Sequence, residues 1–171
     1  MKKTDAKTTH NYMVDFLITD SVKVSSNVIL LSMTPADCDV ALRNMDIRPG
    51  QFVQVKTPDN ATFLRRPISI CFIDGKANKL SLLVRDAGNG SHAIMHSPVG
   101  SKLNIILPLG NGFSTIKSGS SPLLIGGGVG VAPLLMLGAY LKQTGINPTF
   151  LIGAKTRDAI LLANELSQYG H

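Results

Sequence analysis

The spacing of apolar residues divides the chain into two textures. From Tyr12 to about Pro108 the pattern is that of strands. Val14, Phe16 and Ile18 alternate with polar neighbours, Phe52, Val53 and Val55 do so less cleanly, and Leu80-Ser81-Leu82-Leu83-Val84 reads as a buried strand. Arg48-Pro49-Gly50 and Asp74-Gly75 supply turn chemistry between such runs, the second suited to a hairpin. Together they predict a small antiparallel barrel. One short helix is expected near Ser91 to Ser97, capped by Ser91 and stopped before Pro98.

After Gly119 the period changes. A strand over Leu123 to Ile125, a helix from about Val131 to Gln143, a strand over Thr149 to Ile152 and a helix from about Arg157 to Gln168 predict a parallel sheet with crossover helices. The Ser/Gly-rich stretch Ser114 to Ser121 marks the boundary, so a barrel domain is expected over 11–116 and an α/β domain over 117–171. The polar leader over 1–10 reads as a disordered tail. There is no internal repeat. A doubly wound nucleotide domain needs further strands to cover its helices and bury its sheet. The α/β region therefore reads as the incomplete N-terminal part of such a domain, in a shortened form of a longer subunit.

Composition narrows the class. The 171 residues are 44% hydrophobic and 16% charged, and no apolar run is long enough to cross a bilayer. Met1-Lys2-Lys3-Thr4-Asp5 is followed by no apolar segment, so no signal peptide is read and the cytoplasm is the expected location. The net charge of +6 comes from scattered basic residues, with aromatics only 5% of the chain. That leaves few stacking platforms for nucleic acid, and a phosphate-rich cofactor or an acidic partner accounts for the charge as well. Cys38 and Cys71 lack metal-site spacing and are read as reduced and structural.

The densest chemistry lies at Leu123-Leu124-Ile125-Gly126-Gly127-Gly128-Val129-Gly130-Val131-Ala132-Pro133, where a strand runs into glycines and then into a proline that opens a helix. Glycine permits positive φ and close approach of a ligand. The free N–H groups and dipole of a helix N-terminus hold an anion. Pro133 suits the first helical turn. Such turns also occur without a ligand. The usual dinucleotide fingerprint adds an acidic residue about 20 positions on, and here the next strand ends instead in Gly153-Ala154-Lys155-Thr156-Arg157. An ordinary NAD dehydrogenase is disfavoured. A second constellation is Arg65-Arg66-Pro67-Ile68-Ser69, in which arginine offers a bidentate fork for phosphate; a solvated strand edge carries the same residues. His92 and His96, four apart, lack a third ligand and read as a helix face.

Arg66-Pro67-Ile68-Ser69, Leu83-Val84-Arg85, Gly88-Asn89-Gly90-Ser91, Pro108-Leu109-Gly110-Asn111-Gly112-Phe113 and the Gly126 to Pro133 loop follow one another in the order of the ferredoxin-NADP reductase superfamily. Within it the chain most resembles the electron-transfer subunits of dihydroorotate dehydrogenase type B. The resemblance implies an antiparallel flavin-binding barrel and a nucleotide-binding α/β domain. It implies FAD, with Arg66 at its pyrophosphate, Pro67 shaping the strand and Ser69 near the reactive ring edge. Leu83, Val84 and Arg85 would then lie on the adenine or ribitol side, with Gly90 and Ser91 at the pyrophosphate. Where superfamily members often carry tyrosine this chain has Ile68, so aliphatic and backbone contacts hold the ring there. Gly126, Gly127, Gly128, Val129 and Gly130 would cradle NAD as co-substrate. The resemblance further implies a [2Fe–2S] cluster, in a four-cysteine segment of the full-length subunit only. It implies a catalytic dihydroorotate dehydrogenase partner in a hetero-oligomer, taken as a heterotetramer, and a flavin-dependent, NAD(P)-linked oxidoreductase of pyrimidine biosynthesis. Neither nucleic acid nor membrane is implied as a partner. A reductase subunit serving ferredoxin, a hydrogenase or an oxygenase, or a regulatory flavin- or nucleotide-binding module, are the alternatives.

Overall fold

The structure, a computed structural model, describes residues 10–58 and 62–171; apart from His10, the expected tail lies outside them. Six strands close into an antiparallel barrel: β1 (Tyr12–Ser25), β2 (Val28–Pro35), β3 (Phe52–Val55), β4 (Arg66–Asp74), β5 (Lys79–Arg85) and β6 (Lys102–Leu109), in the order β1-β2-β5-β4-β3-β6. The alternation read from the sequence is what closes it. Phe16, Ile18, Leu31, Met33, Val53, Ile70, Leu80, Leu82, Leu103 and Ile105 point inward and are fully or almost fully buried. The Asp74-Gly75 hairpin forms, but the left-handed residue is Asn78 (φ 52°), and the Asp74 carboxylate organises the turn by accepting from the N–H groups of Lys76 and Ala77.

Beyond the barrel, β7 (Leu123–Gly127) and β8 (Thr149–Gly153) form a two-stranded parallel sheet joined by helix α2 (Ala132–Gln143). A 3-10 turn over Gly128–Val131 precedes α2, and Pro133 sits in its first turn. A second apolar core lies under α2, and the barrel helps to build it. Val28, Cys71 and Leu83 turn outward from the barrel strands to pack with Leu124, Val131, Leu134, Leu137 and Leu141. Ile68 and Ile70 face the barrel core, so alternation turns Cys71 outward, and the break in the β4–β5 register between Ile70 and Phe72 sends Phe72 outward as well and returns Ile73 to the barrel core.

Two expected helices differ. The first, α1, spans Asn89–Met95 and starts at Gly88 (φ 138°) rather than Ser91. Ser91 falls on the third helical residue, where its hydroxyl accepts from Ala87 N–H and donates to Gly88 O, so it does not cap. The expected helix over Arg157 to Gln168 is broken into a 3-10 turn, Arg157–Ala159, and α3, Ala163–Ser167. Between them Leu161 and Leu162 are both buried in the second core and Leu162 adopts φ 56°, which ends the helical path. Cys38 is exposed in the loop after β2, so only Cys71 has the buried packing role expected of both. No helix among the described residues is long and apolar enough to cross a membrane.

Candidate functional site

The barrel is split at one corner. β4 pairs with β5 only from Ile70 onward, opposite Leu82, so Arg66, Pro67, Ile68 and Ser69 are bonded to β3 alone, and Leu83, Val84 and Arg85 to β2 alone. A cavity of about 540 Å³ opens from this split. Arg66 to Ser69 form one wall, Leu83 to Arg85 the other, and Gly88 to Ser91 the end, with Thr62, Ala87, Val129 and Ala132 completing the lining. Strand edges that have parted keep backbone donors and acceptors free for a ligand. Pro67, which has no N–H to offer, stands opposite Gln54 near the start of its strand, where proline costs least.

The arginine pair is divided by the fold. Arg65 turns into the β3–β6 seam, where its guanidinium donates to the carbonyls of Gln54 (3.3 Å) and Asn104 (3.0 Å) and to the Asn104 side chain. Arg66 lines the cavity and, among the described residues, takes no part in an ion pair. Its stem lies so close over α1 that a Cβ on Gly90 would come within 2.8 Å of Arg66 Cδ. Glycine there lets the guanidinium reach the first turn of α1, whose N-cap Gly88 supplies no side-chain acceptor to the leading N–H groups. An uncommitted cation and uncapped N–H donors facing one cavity suit a doubly charged pyrophosphate, and cofactor sites are commonly of this size.

A second cavity of about 590 Å³ lies on the other side of the glycine loop, lined by Gly127, Gly128 and Val129, by Gly153, Ala154 and Lys155 after β8, and by Ser25, Asn27 and Arg85 of the barrel. Gly128 has φ 51°, and a Cβ there or on Gly130 would meet nothing within 4 Å. Gly126 works differently: a Cβ would lie 2.8 Å from Leu134 and 3.3 Å from the Val131 backbone, so this glycine lets α2 pack on β7. Of the fourteen residues singled out in the sequence, the first cavity gathers Arg66, Pro67, Ile68, Ser69, Leu83, Val84, Arg85, Gly90, Ser91 and Val129, the second adds Gly127 and Gly128, and Gly126 and Gly130 line neither. Thr62 and Ala87 carried no signal of their own; Gly88, Asn89 and Ala132 lay inside motifs read from the sequence, at positions outside the fourteen.

The flanking groups are structural. Asp86 accepts from His92 Nδ1 (2.7 Å), and this hydrogen bond holds its carboxyl below the usual range. His96 Nδ1 contacts the His92 carbonyl, and the two rings lie 4.1 Å apart as a helix-face pair. The Pro108 to Phe113 run clasps the barrel: the buried Gln51 side chain accepts from Arg48 N–H and donates to Gly110 O, while Phe113 packs on Gly50 (φ 94°).

A split barrel whose cavity meets a glycine loop on a parallel sheet is the architecture of the ferredoxin-NADP reductase class of flavin proteins. The solved structure of an NADH-dependent reduced ferredoxin-NADP oxidoreductase superposes over 90% of this chain and 53% of its own, with TM-score 0.75 and 28% identity. Phthalate dioxygenase reductase shares the fold at TM-score 0.71 and 21% identity, over 91% of this chain and 48% of its own. In sequence the chain is related to the electron transfer subunits of dihydroorotate dehydrogenase B (NAD(+)). It is 42% identical to that of Streptococcus pneumoniae R6 over 127 residues and 38% identical to that of Streptococcus mutans over 125, in each case 72% of this chain. The chain spans about half the length of these relatives, 49% and 48%. No protein-family model matches it.

Proposed function

We infer that this chain is the FAD-carrying, nicotinamide-facing portion of an electron-transfer subunit that passes electrons from a dihydroorotate-oxidising catalytic subunit to NAD. The observation that carries the reading is the split between β4 and β5, with Arg66 and the uncapped first turn of α1 at one end. Bound there, the flavin supplies the redox chemistry. This chain's residues supply binding and orientation. Arg66 and the leading N–H groups of α1 hold the pyrophosphate. The open edges of Pro67 to Ser69 and Leu83 to Val84 hold the polar rim of the ring system, with Ser69 offering a hydroxyl. Gly127 and Gly128 give a second dinucleotide close access to the backbone, and Val129, in the walls of both cavities, sets the separation of the two ligands.

On this reading 11–116 is the flavin-binding domain and 117–171 part of the nicotinamide-binding one. The identity of 35–42% to dihydroorotate dehydrogenase subunits favours that partner over a ferredoxin or an oxygenase. The exposed Cys38 and buried Cys71 make no four-thiolate set, so these residues do not fit a [2Fe–2S] cluster and no step is routed through one. The test is FAD retention, read by absorbance after dialysis, together with co-purification from cells that also express the catalytic subunit. Stoichiometric flavin and a stable hetero-oligomer are expected. Arg66→Ala should weaken FAD by about 1.5–3 kcal/mol, the usual contribution of a charge-assisted contact. Equal retention by wild type and variant would remove Arg66 from the site, and an absence of flavin binding by the wild type would remove the reading itself.

A further inference from the structure

Two residues line both cavities: Val129 and Arg85. Val129 is apolar, so Arg85 is the single charge in the common wall. It is the last residue of β5, paired with Val28 at the end of the β2–β5 ladder, and on the outward side of the strand with Leu83, whose side chain packs into the second core beside the glycine loop. The guanidinium is exposed and enters no ion pair among the described residues. Its neighbour Asp86, the nearest carboxylate in sequence, is bonded to His92 instead, so that charge is directed away from Arg85. The remaining cations divide evenly. The first cavity has Arg66 of its own, and the second has Lys155.

Resting on the reading of the two cavities as dinucleotide sites, we propose that Arg85 is shared by both ligands and couples their binding. Each pyrophosphate is doubly charged, and each cavity holds one private cation, too few to neutralise it. The exposed guanidinium has no ion-pair partner among the described residues to fix it, and ordering it costs side-chain entropy; the first anion to bind orders it, so the second finds the charge already in place between the two sites. Its contribution to either ligand is therefore larger in the presence of the other, and by linkage the coupling is reciprocal. Arg85 is on this account a positioning and coupling residue. It makes and breaks no bond.

The experiment is a titration of NAD+ by calorimetry into the FAD-saturated and the FAD-stripped protein, for wild type, Arg85→Ala, Arg85→Lys and, as a charge control, Lys76→Ala on the β4–β5 hairpin. Arg85→Ala should raise the dissociation constant for NAD+ by about tenfold more in the FAD-saturated than in the stripped protein. The difference should shrink as salt is raised, and Arg85→Lys should restore most of it. FAD affinity, measured by fluorescence quenching, should fall in Arg85→Ala as well. An equal NAD+ penalty with and without FAD overturns the coupling. So does a smaller penalty in the loaded protein, which would mean that Arg85 serves one dinucleotide at a time, or an effect on one ligand alone. The same loss in Lys76→Ala would assign the effect to net charge and overturn it too. A wild-type chain that binds neither dinucleotide fails the underlying reading, which is a different result from binding both with Arg85 silent.

Discussion

The barrel and the α/β region reach stability by different routes. The barrel closes six strands around its own core, and its parted edges are confined to the split where the cavity lies. The α/β region has two strands and covers one face of them. Leu124, Phe150 and Ile152 lie toward α2, while Leu123 (56% exposed), Ile125 (66%) and Leu151 (56%) stand on the opposite, open face. Two strands alone are marginal in water, and here the deficit is made up by Val28, Cys71 and Leu83 of the barrel. The barrel is a scaffold in its own right and the α/β region leans on it. The first cavity lies where they meet, with Val129 and Ala132 closing a wall that the barrel leaves open.

The largest test of this dependence is a pair of core truncations. Phe16→Ala should cost about 3–5 kcal/mol and lower hydrogen-exchange protection in both regions, because the second core loses its foundation along with the first. Leu141→Ala should cost about 2–5 kcal/mol, with protection lost in α2 and β8 while β1, β2 and β6 remain protected. Uniform loss in both variants would show one cooperative unit and end the distinction.

Cys71 reports on the seam from within. Burial pushes its thiol up to about 12, with the Glu165 carboxylate adding to the shift. The native chain should therefore label quickly at Cys38 and slowly at Cys71, and Leu141→Ala should speed Cys71 selectively. The raised value also fixes a sign. The folded state keeps the proton that the unfolded thiol loses above its ordinary value near 9, so this contribution is intact below pH 9 and declines as pH climbs from there toward 12. Denaturant midpoints measured across that interval, with Cys71→Ala as the reference, check it.

The glycine loop gives a smaller and sharper contrast. Gly126→Ala presses a methyl onto Leu134 and the Val131 backbone and should cost about 1–3 kcal/mol. Gly130→Ala meets open space and should alter stability by no more than about 0.5 kcal/mol. If the loop holds a dinucleotide, a methyl on Gly127, which lines the second cavity and would meet only Gly153 O at 3.6 Å, weakens NAD+ binding with thermal stability nearly unchanged. Equal stability losses at Gly126 and Gly130 would contradict the division of roles.

The smallest effect belongs to Asp86. Its carboxyl is held low mainly by the His92 hydrogen bond, so whatever it contributes is present above its ordinary value near 3.8 and is lost as pH falls below that. Asp86→Asn should remove a slight acid-limb dependence in thermal melts between pH 4 and 2 and leave the neutral range nearly untouched. A shift confined to neutral pH would take the effect away from the Asp86 carboxylate.

Much of this was legible along the chain. The alternation at Val14, Phe16 and Ile18 specified a half-buried strand by itself, because side chains on a strand point to opposite faces in turn. The switch after Gly119 specified a parallel β-α-β unit for a similarly local reason, and the glycines before Pro133 could only be a tight strand-to-helix passage. Tertiary structure decided the rest. Arg65 and Arg66 are chemically equal in the sequence, yet one is consumed by the β3–β6 seam and the other lines the first cavity, since their fates depend on Asn104 and Gly90, remote in the chain. Leu161 and Leu162 fit a helix by periodicity and were drawn instead into a core partly supplied by Val28 and Cys71. The split between β4 and β5 has no sequence signature of its own. It lies where β4, held by β3 as far as Ser69, and β5, held by β2 from Leu83 on, part from one another, and pairing is a property of two strands that no single segment contains.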